Sequence, residues 1–239
     1  MTEHVILNSE QHRELRVSTE SSAEMGDAVM GCLTVPPEFR QVQNCFPIVF
    51  RRDPASGNFA AMALFGFTDG ENLFLENGEW TARYKPVVQS VAPFLIGRPR
   101  EEGGEAQVHI DMAHPRVSSS GEGMRVFDED GRPTPFMENM ASRLGMLHEA
   151  YKASGGFIDA MRRHDLLEPF TLDVALVDGS KHSLVGFHTI HEEKLEALDA
   201  AALGELQQAG YLLPIYMVLA SMENFAEMIA RKNRQVAGG

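Results

Sequence analysis

Hydrophobic positions along the 239-residue chain change their spacing part-way through. In the first half they gather in short runs bounded by turn residues, as strands do. Val5-Ile6-Leu7 reads as an edge strand in an otherwise aperiodic segment, so residues 1–25 are expected to be a loosely held arm. Residues 27–35 read as a strand that stops at Pro36-Pro37. The run Phe46-Pro47-Ile48-Val49-Phe50-Arg51-Arg52, the turn Asp53-Pro54-Ala55-Ser56-Gly57 and the apolar stretch 59–67 predict a β-hairpin. Asn77-Gly78 is the favoured dipeptide of a two-residue hairpin, because both positions tolerate positive φ. Residues 88–96 read as a strand interrupted by Pro93, and 108–112 as an alternating strand. Between them 99–105 is a charged loop, and 117–123 is a Ser/Gly-rich one.

The second half has a different period. Met137, Met140, Leu144, Leu147 and Tyr151, then Phe157, Ile158 and Met161, recur at helical steps, and Ser154-Gly155-Gly156 predicts a break into two helices. A further hairpin is predicted from 170–176 and 183–190 around Asp178-Gly179-Ser180. Residues 192–208 suit one helix capped by Gly210, and 213–234 another, amphipathic through Ile215, Leu219, Met222, Phe225, Met228 and Ile229. The pattern predicts an α+β fold, with a β-rich N-terminal half of meandering antiparallel strands and a helical C-terminal half. One domain over 26–239 is expected.

Composition adds constraints. A 44% hydrophobic and 23% charged chain is an ordinary globular one. Thirty-four acids against 21 bases give a net charge of −13, which opposes binding to nucleic acid or to an anionic membrane. Cys32 and Cys45 are too few and too far apart for a disulfide framework or a Cys-x-x-Cys site, and free thiols are expected. The start Met1-Thr2-Glu3-His4 lacks the apolar stretch of a signal peptide, and no run approaches the ~18 apolar residues of a membrane helix. A cytoplasmic placement follows, with surface association left open to export without a cleaved signal.

Catalytic signatures are sparse. Gly-x-Ser-x-Gly, the P-loop and Gly-x-Gly-x-x-Gly are absent, so no nucleotide cofactor is expected. Asp128-Glu129-Asp130-Gly131 departs from a calcium loop at its fifth, sixth and twelfth positions and reads as a turn. His109-Ile110-Asp111 places a His and an Asp on one face of a strand, the start of a 2-His-1-carboxylate iron site. His182, His188 and His191 are the candidates to complete it, His188 first. Trp80, Tyr84 and Phe94, with Arg83 and Lys85 nearby, offer an aromatic platform for a ligand such as a sugar or peptide.

An ordered series of short motifs also resembles the bacterial SapC family. It runs through Phe46-Pro47-Ile48-Val49-Phe50, Ala63-Leu64-Phe65-Gly66, Glu71-Asn72-Leu73-Phe74, Gly78-Glu79-Trp80, Tyr84-Lys85-Pro86 and Pro93-Phe94. It continues through Val126-Phe127-Asp128-Glu129-Asp130-Gly131-Arg132-Pro133, Gly186-Phe187-His188, Glu193-Lys194-Leu195 and Ile215-Tyr216. The resemblance covers roughly residues 25–230. It implies a protein named for surface-layer association, with no established catalytic activity, distinct from the like-named peptide permease. It also implies a gene neighbourhood of TonB-dependent receptors, halogenase-like enzymes and cupin-like oxygenases. His109 stands where the family pattern has Cys, which weakens the iron site.

The expectation is therefore a non-enzymatic accessory or binding protein linked to nutrient uptake or to peptide or glycan modification at the cell envelope. Its partner would be one of those neighbouring proteins. An iron- and 2-oxoglutarate-dependent oxygenase using His109, Asp111 and His188 is one alternative. A homo-oligomeric surface-layer-associated protein, joined through the C-terminal Met and Phe stripe, is another.

Overall fold

The computed structural model describes residues 3–97, 107–118 and 121–238. The charged 99–105 loop, and Ser119-Ser120, lie outside them. In chain order the strands are β1 (His4–Ile6), β2 (Arg16–Val17), β3 (Gly31–Leu33), β4 (Ile48–Arg52), β5 (Phe59–Leu64), β6 (Leu75–Glu76), β7 (Glu79–Trp80), β8 (Phe94–Gly97), β9 (Gln107–Asp111), β10 (Met124–Arg125), β11 (Leu167–Ala175) and β12 (Lys181–Ile190). The helices are α1 (Phe39–Val42), α2 (Val87–Ser90), α3 (Pro135–Arg163), α4 (Glu192–Glu196), α5 (Ala200–Gln208), α6 (Leu212–Ser221) and α7 (Asn224–Gly238). All strand pairings are antiparallel and the class is α+β.

Where the sequence predicts one domain, the residues pack into two compact units. The first comprises Met1–Ala28, Leu75–Trp80 and Val87–Glu149. Its sheet has the order β1-β9-β8, so β9 is paired on both sides. Phe94, Ile110, Val126, Val91, Met137 and Leu144 form its core, with Val17 1% exposed among them. The segment expected to be a loose arm supplies β1, the edge strand read from Val5-Ile6-Leu7, and also β2. A strand of two residues is too short to display a period, so β2 leaves no trace in the pattern. The Asn77-Gly78 turn is as predicted, with φ of 51° and 78°. Arg116 and Asp27, both buried, meet at 2.7 Å, and Asp27 also accepts from Ser22 N and Gln89 Nε2.

The second unit comprises Val29–Phe74, Thr81–Pro86 and Ala150–Gly239. Its sheet has the order β11-β12-β4-β5-β3. Buried Phe157 sits at the centre of its aromatic core, with ring centroids 6.1 Å from Phe39, 6.4 Å from Phe50 and 5.6 Å from Tyr211. Three helical expectations change. The one helix expected over 192–208 is two, α4 and α5, the second capped by Asp199, whose side chain accepts from Ala202 N. α3 runs unbroken through Ser154-Gly155-Gly156, although each Gly costs a helix about 1 kcal/mol relative to Ala. A Cβ on Gly156 would lie 2.6 Å from the Tyr211 hydroxyl oxygen, so this glycine permits a close approach rather than ending the helix.

The C-terminal helix is in fact two, α6 and α7, separated at Met222-Glu223. Ile215, Phe225 and Met228 of its apolar stripe are core, and Phe225 stacks on Phe170 at 5.5 Å. Those side chains are therefore not an intersubunit surface. By length and composition the stretch Leu212–Ala237 does reach what a membrane span requires, contrary to the expectation above, and 39% of its apolar window is buried in the fold.

Candidate functional site

The site begins at the place where β3 parts from β5. Thr34 N donates to Ala61 O at 3.0 Å, and Pro36-Pro37 then turn the chain into the short helical turn Pro36–Glu38. Proline has no N–H to carry a ladder further. β5 extends beyond this point to Phe59, paired with β4 along its whole length. Leu64 N donates to Pro47 O and Asp53 N to Asn58 O, so the even-numbered residues of β5 direct their backbone groups toward β4. Alternation then turns the Phe59 amide and carbonyl and the Ala61 amide to the opposite side, which β3 has left.

The C-terminal part of α3 forms the facing wall. Between them lies a groove of about 380 Å³, with Leu33, Thr34, Phe59, Tyr151, Phe157 and Ile158 among its lining. Lys152, Asp159 and Arg162 supply its charge. A second groove, of about 330 Å³, shares Pro36, Ser154 and Phe157 with the first and continues over Tyr211, Leu213 and Met217. Tyr151 is 57% and Leu213 54% exposed. Gly155 faces open space, with nothing within 4 Å of an added Cβ.

Behind Thr34 the polar groups are committed to structure. Thr34 Oγ1 donates to Glu38 Oε2 at 2.9 Å, and the Tyr84 hydroxyl donates to Glu38 Oε1 at 2.7 Å. Burial, with the Glu38 charge adding to it, pushes the Cys32 thiol well above the usual range. Such a thiol stays protonated and is a poor nucleophile. Cys32 and Cys45 are both free, as expected.

The residues of the aromatic platform are divided between the two units. Trp80 pairs with Leu75 in the β6–β7 hairpin of the first unit. Phe94, in the same unit, is 4% exposed and belongs to the core. Exposed Arg83 and half-buried Tyr84 belong to the second unit, and the Tyr84 hydroxyl is occupied by Glu38. Strand registers place these residues, and their closeness along the chain carried no information about them.

The metal candidates are likewise dispersed. His109 and Asp111 lie on β9, opposite Ile6 and His4 of β1. The His109 ring lies across Gly97, where an added Cβ would come within 2.1 Å of it. Asp111 Oδ1 accepts from Glu3 N at 2.8 Å and Ala113 N at 3.1 Å, and these hydrogen bonds, the Glu3 one foremost, hold its carboxyl below the usual range. His188 lies on β12 of the second unit, its ring edge-on to Phe59 at 4.8 Å. Burial first, and then Arg52, lower its pKa. His182 has its ring 6.2 Å from Phe67, and His191 approaches Glu168 at 3.8 Å. Among the described residues no three His, Cys, Asp or Glu side chains are grouped as an ion would require.

The sequence reading missed Tyr151, Lys152, Asp159 and Arg162. Positions 152, 155, 159 and 162 share one helical face, and that stripe was legible only if the two glycines were not taken as a break. No curated protein and no solved structure matches the chain. The family model described as SapC matches residues 7–228, nearly the whole sequence, and the chain therefore belongs to the SapC family.

Proposed function

We propose that this chain is a binding protein, an accessory without chemistry of its own, which holds a partner in the adjoining grooves of its second unit. The observation that carries the reading is the pairing of concave surface with exposed apolar side chains, Tyr151 and Leu213, beside an open sheet edge. Apolar side chains left in water around a groove are a usual mark of recognition. The partner classes to test first are the neighbours that the resemblance implies: a TonB-dependent receptor system, a halogenase-like enzyme or a cupin-like enzyme. The work would be nutrient uptake or peptide or glycan modification at the envelope.

Gly155→Leu separates binding from folding. The position is helical and faces open space, so Leu suits the helix there while its side chain fills the groove. The expected result is a variant at least as stable as the wild type that no longer retrieves the proteins which co-purify with the wild type from its host. Retrieval of the same proteins in equal amount would place the binding face elsewhere. Light scattering of the purified chain shows whether the partner is a second copy.

A further inference from the structure

We infer that the groove beside β5 takes an extended peptide segment, which adds to the sheet in line with β3 and sets an acidic side chain against Arg162. This rests on the binding reading above and names the class of the occupant. Two backbone groups, the Phe59 N–H and C=O, face the side that β3 vacates at Pro36, and the buried Ala61 N–H lies at its inner end beside Thr34. A strand edge with open donors and acceptors is a template for another strand. An extended chain offers its own donors and acceptors at the matching alternation, as β3 already does from Gly31 to Leu33. The open stretch spans Phe59 to Ala61, so it accommodates about three residues of a partner at ~3.3 Å each.

Charge selects among extended segments. The protein carries −13 overall, yet this groove presents Lys152 and Arg162 against the single acid Asp159. Arg162 is exposed and makes no ion pair among the described residues. Its planar guanidinium matches a carboxylate in a way an ammonium does not. The Tyr151 ring, more than half exposed on the same wall, offers apolar contact to a neighbouring side chain of the segment. Backbone pairing thus gives the partner's conformation, and Arg162 gives its sign.

The test uses the full chain and a labelled, end-capped hexapeptide, Val-Thr-Val-Glu-Val-Thr, followed by fluorescence anisotropy at low salt. Two further peptides are N-methylated at alternate residues, one set in each phase, and a fourth has Lys in place of Glu. Expected are saturable binding of the parent, a loss of about tenfold or more for one methylated phase with the other retained, and slowed exchange of the Phe59 amide. Arg162→Glu, a surface change that leaves the fold intact, is expected to weaken the Glu peptide about tenfold and to favour the Lys peptide. Absence of saturable binding, equal binding of both methylated phases, or indifference to Arg162→Glu overturns the inference. If Gly155→Leu still abolishes partner capture after any of those results, the groove binds something other than an acidic strand and the broader reading stands. If capture also persists, both fall.

Discussion

The two units finish their sheets differently. In the first, the five-residue β9 lies between β1 and β8, and both of its edges are paired over most of their length. In the second, the six-residue β5 is paired with β4 throughout but with β3 over only three residues. The first unit also buries a charge-to-charge contact, Arg116 on Asp27, where the second places the Thr34 and Tyr84 hydroxyls on Glu38. In one unit the central strand is flanked on both sides. The other ends at two prolines and exposes backbone beside a cationic helix face. Unpaired backbone is costly when buried and useful when accessible, and this contrast directs the functional reading to the second unit.

The contrast can be broken most forcefully at the buried ion pair. Arg116→Met removes the ion-pair partner of Asp27 in a dry site, and urea unfolding is expected to show a loss of about 3–5 kcal/mol. A loss below about 1 kcal/mol would mean that water reaches Asp27. Phe157→Ala is its counterpart in the second unit. It is expected to cost about 3–5 kcal/mol in the same measurement and to reshape both grooves, since Phe157 lines each. Thr34→Val removes one hydroxyl from Glu38 while nearly keeping shape, with an expected cost of about 1–3 kcal/mol.

Protonation offers a finer probe. The Asp111 carboxyl titrates below its ordinary 3.8 in the folded state, so its contribution is present above that pH and is lost as pH falls through the folded value. The stability gap between wild type and Asp111→Ala should therefore narrow in acid below about pH 4. His188 also titrates low, against an ordinary 6.5, so the folded state resists its protonation and stability drains away as pH falls below that value. His188→Phe should remove this dependence between about pH 7 and 5, and an unchanged slope would show that the ring is freely hydrated. The smallest expected effect is a gain: Gly155→Leu should raise stability by at most about 1 kcal/mol while eliminating partner capture.

Much of the fold was legible along the chain. The β4–β5 and β11–β12 hairpins, the Asn77-Gly78 turn and the helical character of the second half, though not the ends of its helices, follow from local spacing and turn chemistry. The two-unit division was not legible, because the first unit gathers three separated stretches, with a six-residue piece from the middle of the other's sequence. Nor was the groove. Its walls, β5 and the end of α3, are some ninety residues apart in the chain, and no periodicity relates them. The platform of Trp80, Tyr84 and Phe94 failed for the converse reason: neighbours in sequence were distributed to a hairpin, a buried carboxylate and a core.

Local chemistry by itself determined the class, the principal hairpins and turns, the helical second half and, through its ordered motifs, membership in the SapC family. Tertiary packing alone decided that Gly155-Gly156 would sit inside a helix, that Ile215, Phe225 and Met228 of the C-terminal stripe would be core, and that β5 would be left partly uncovered. The division has a physical cause. Turns and periods are set by a residue and its near neighbours, whereas a close approach, a buried face or an open edge exists only once distant segments compete for the same space.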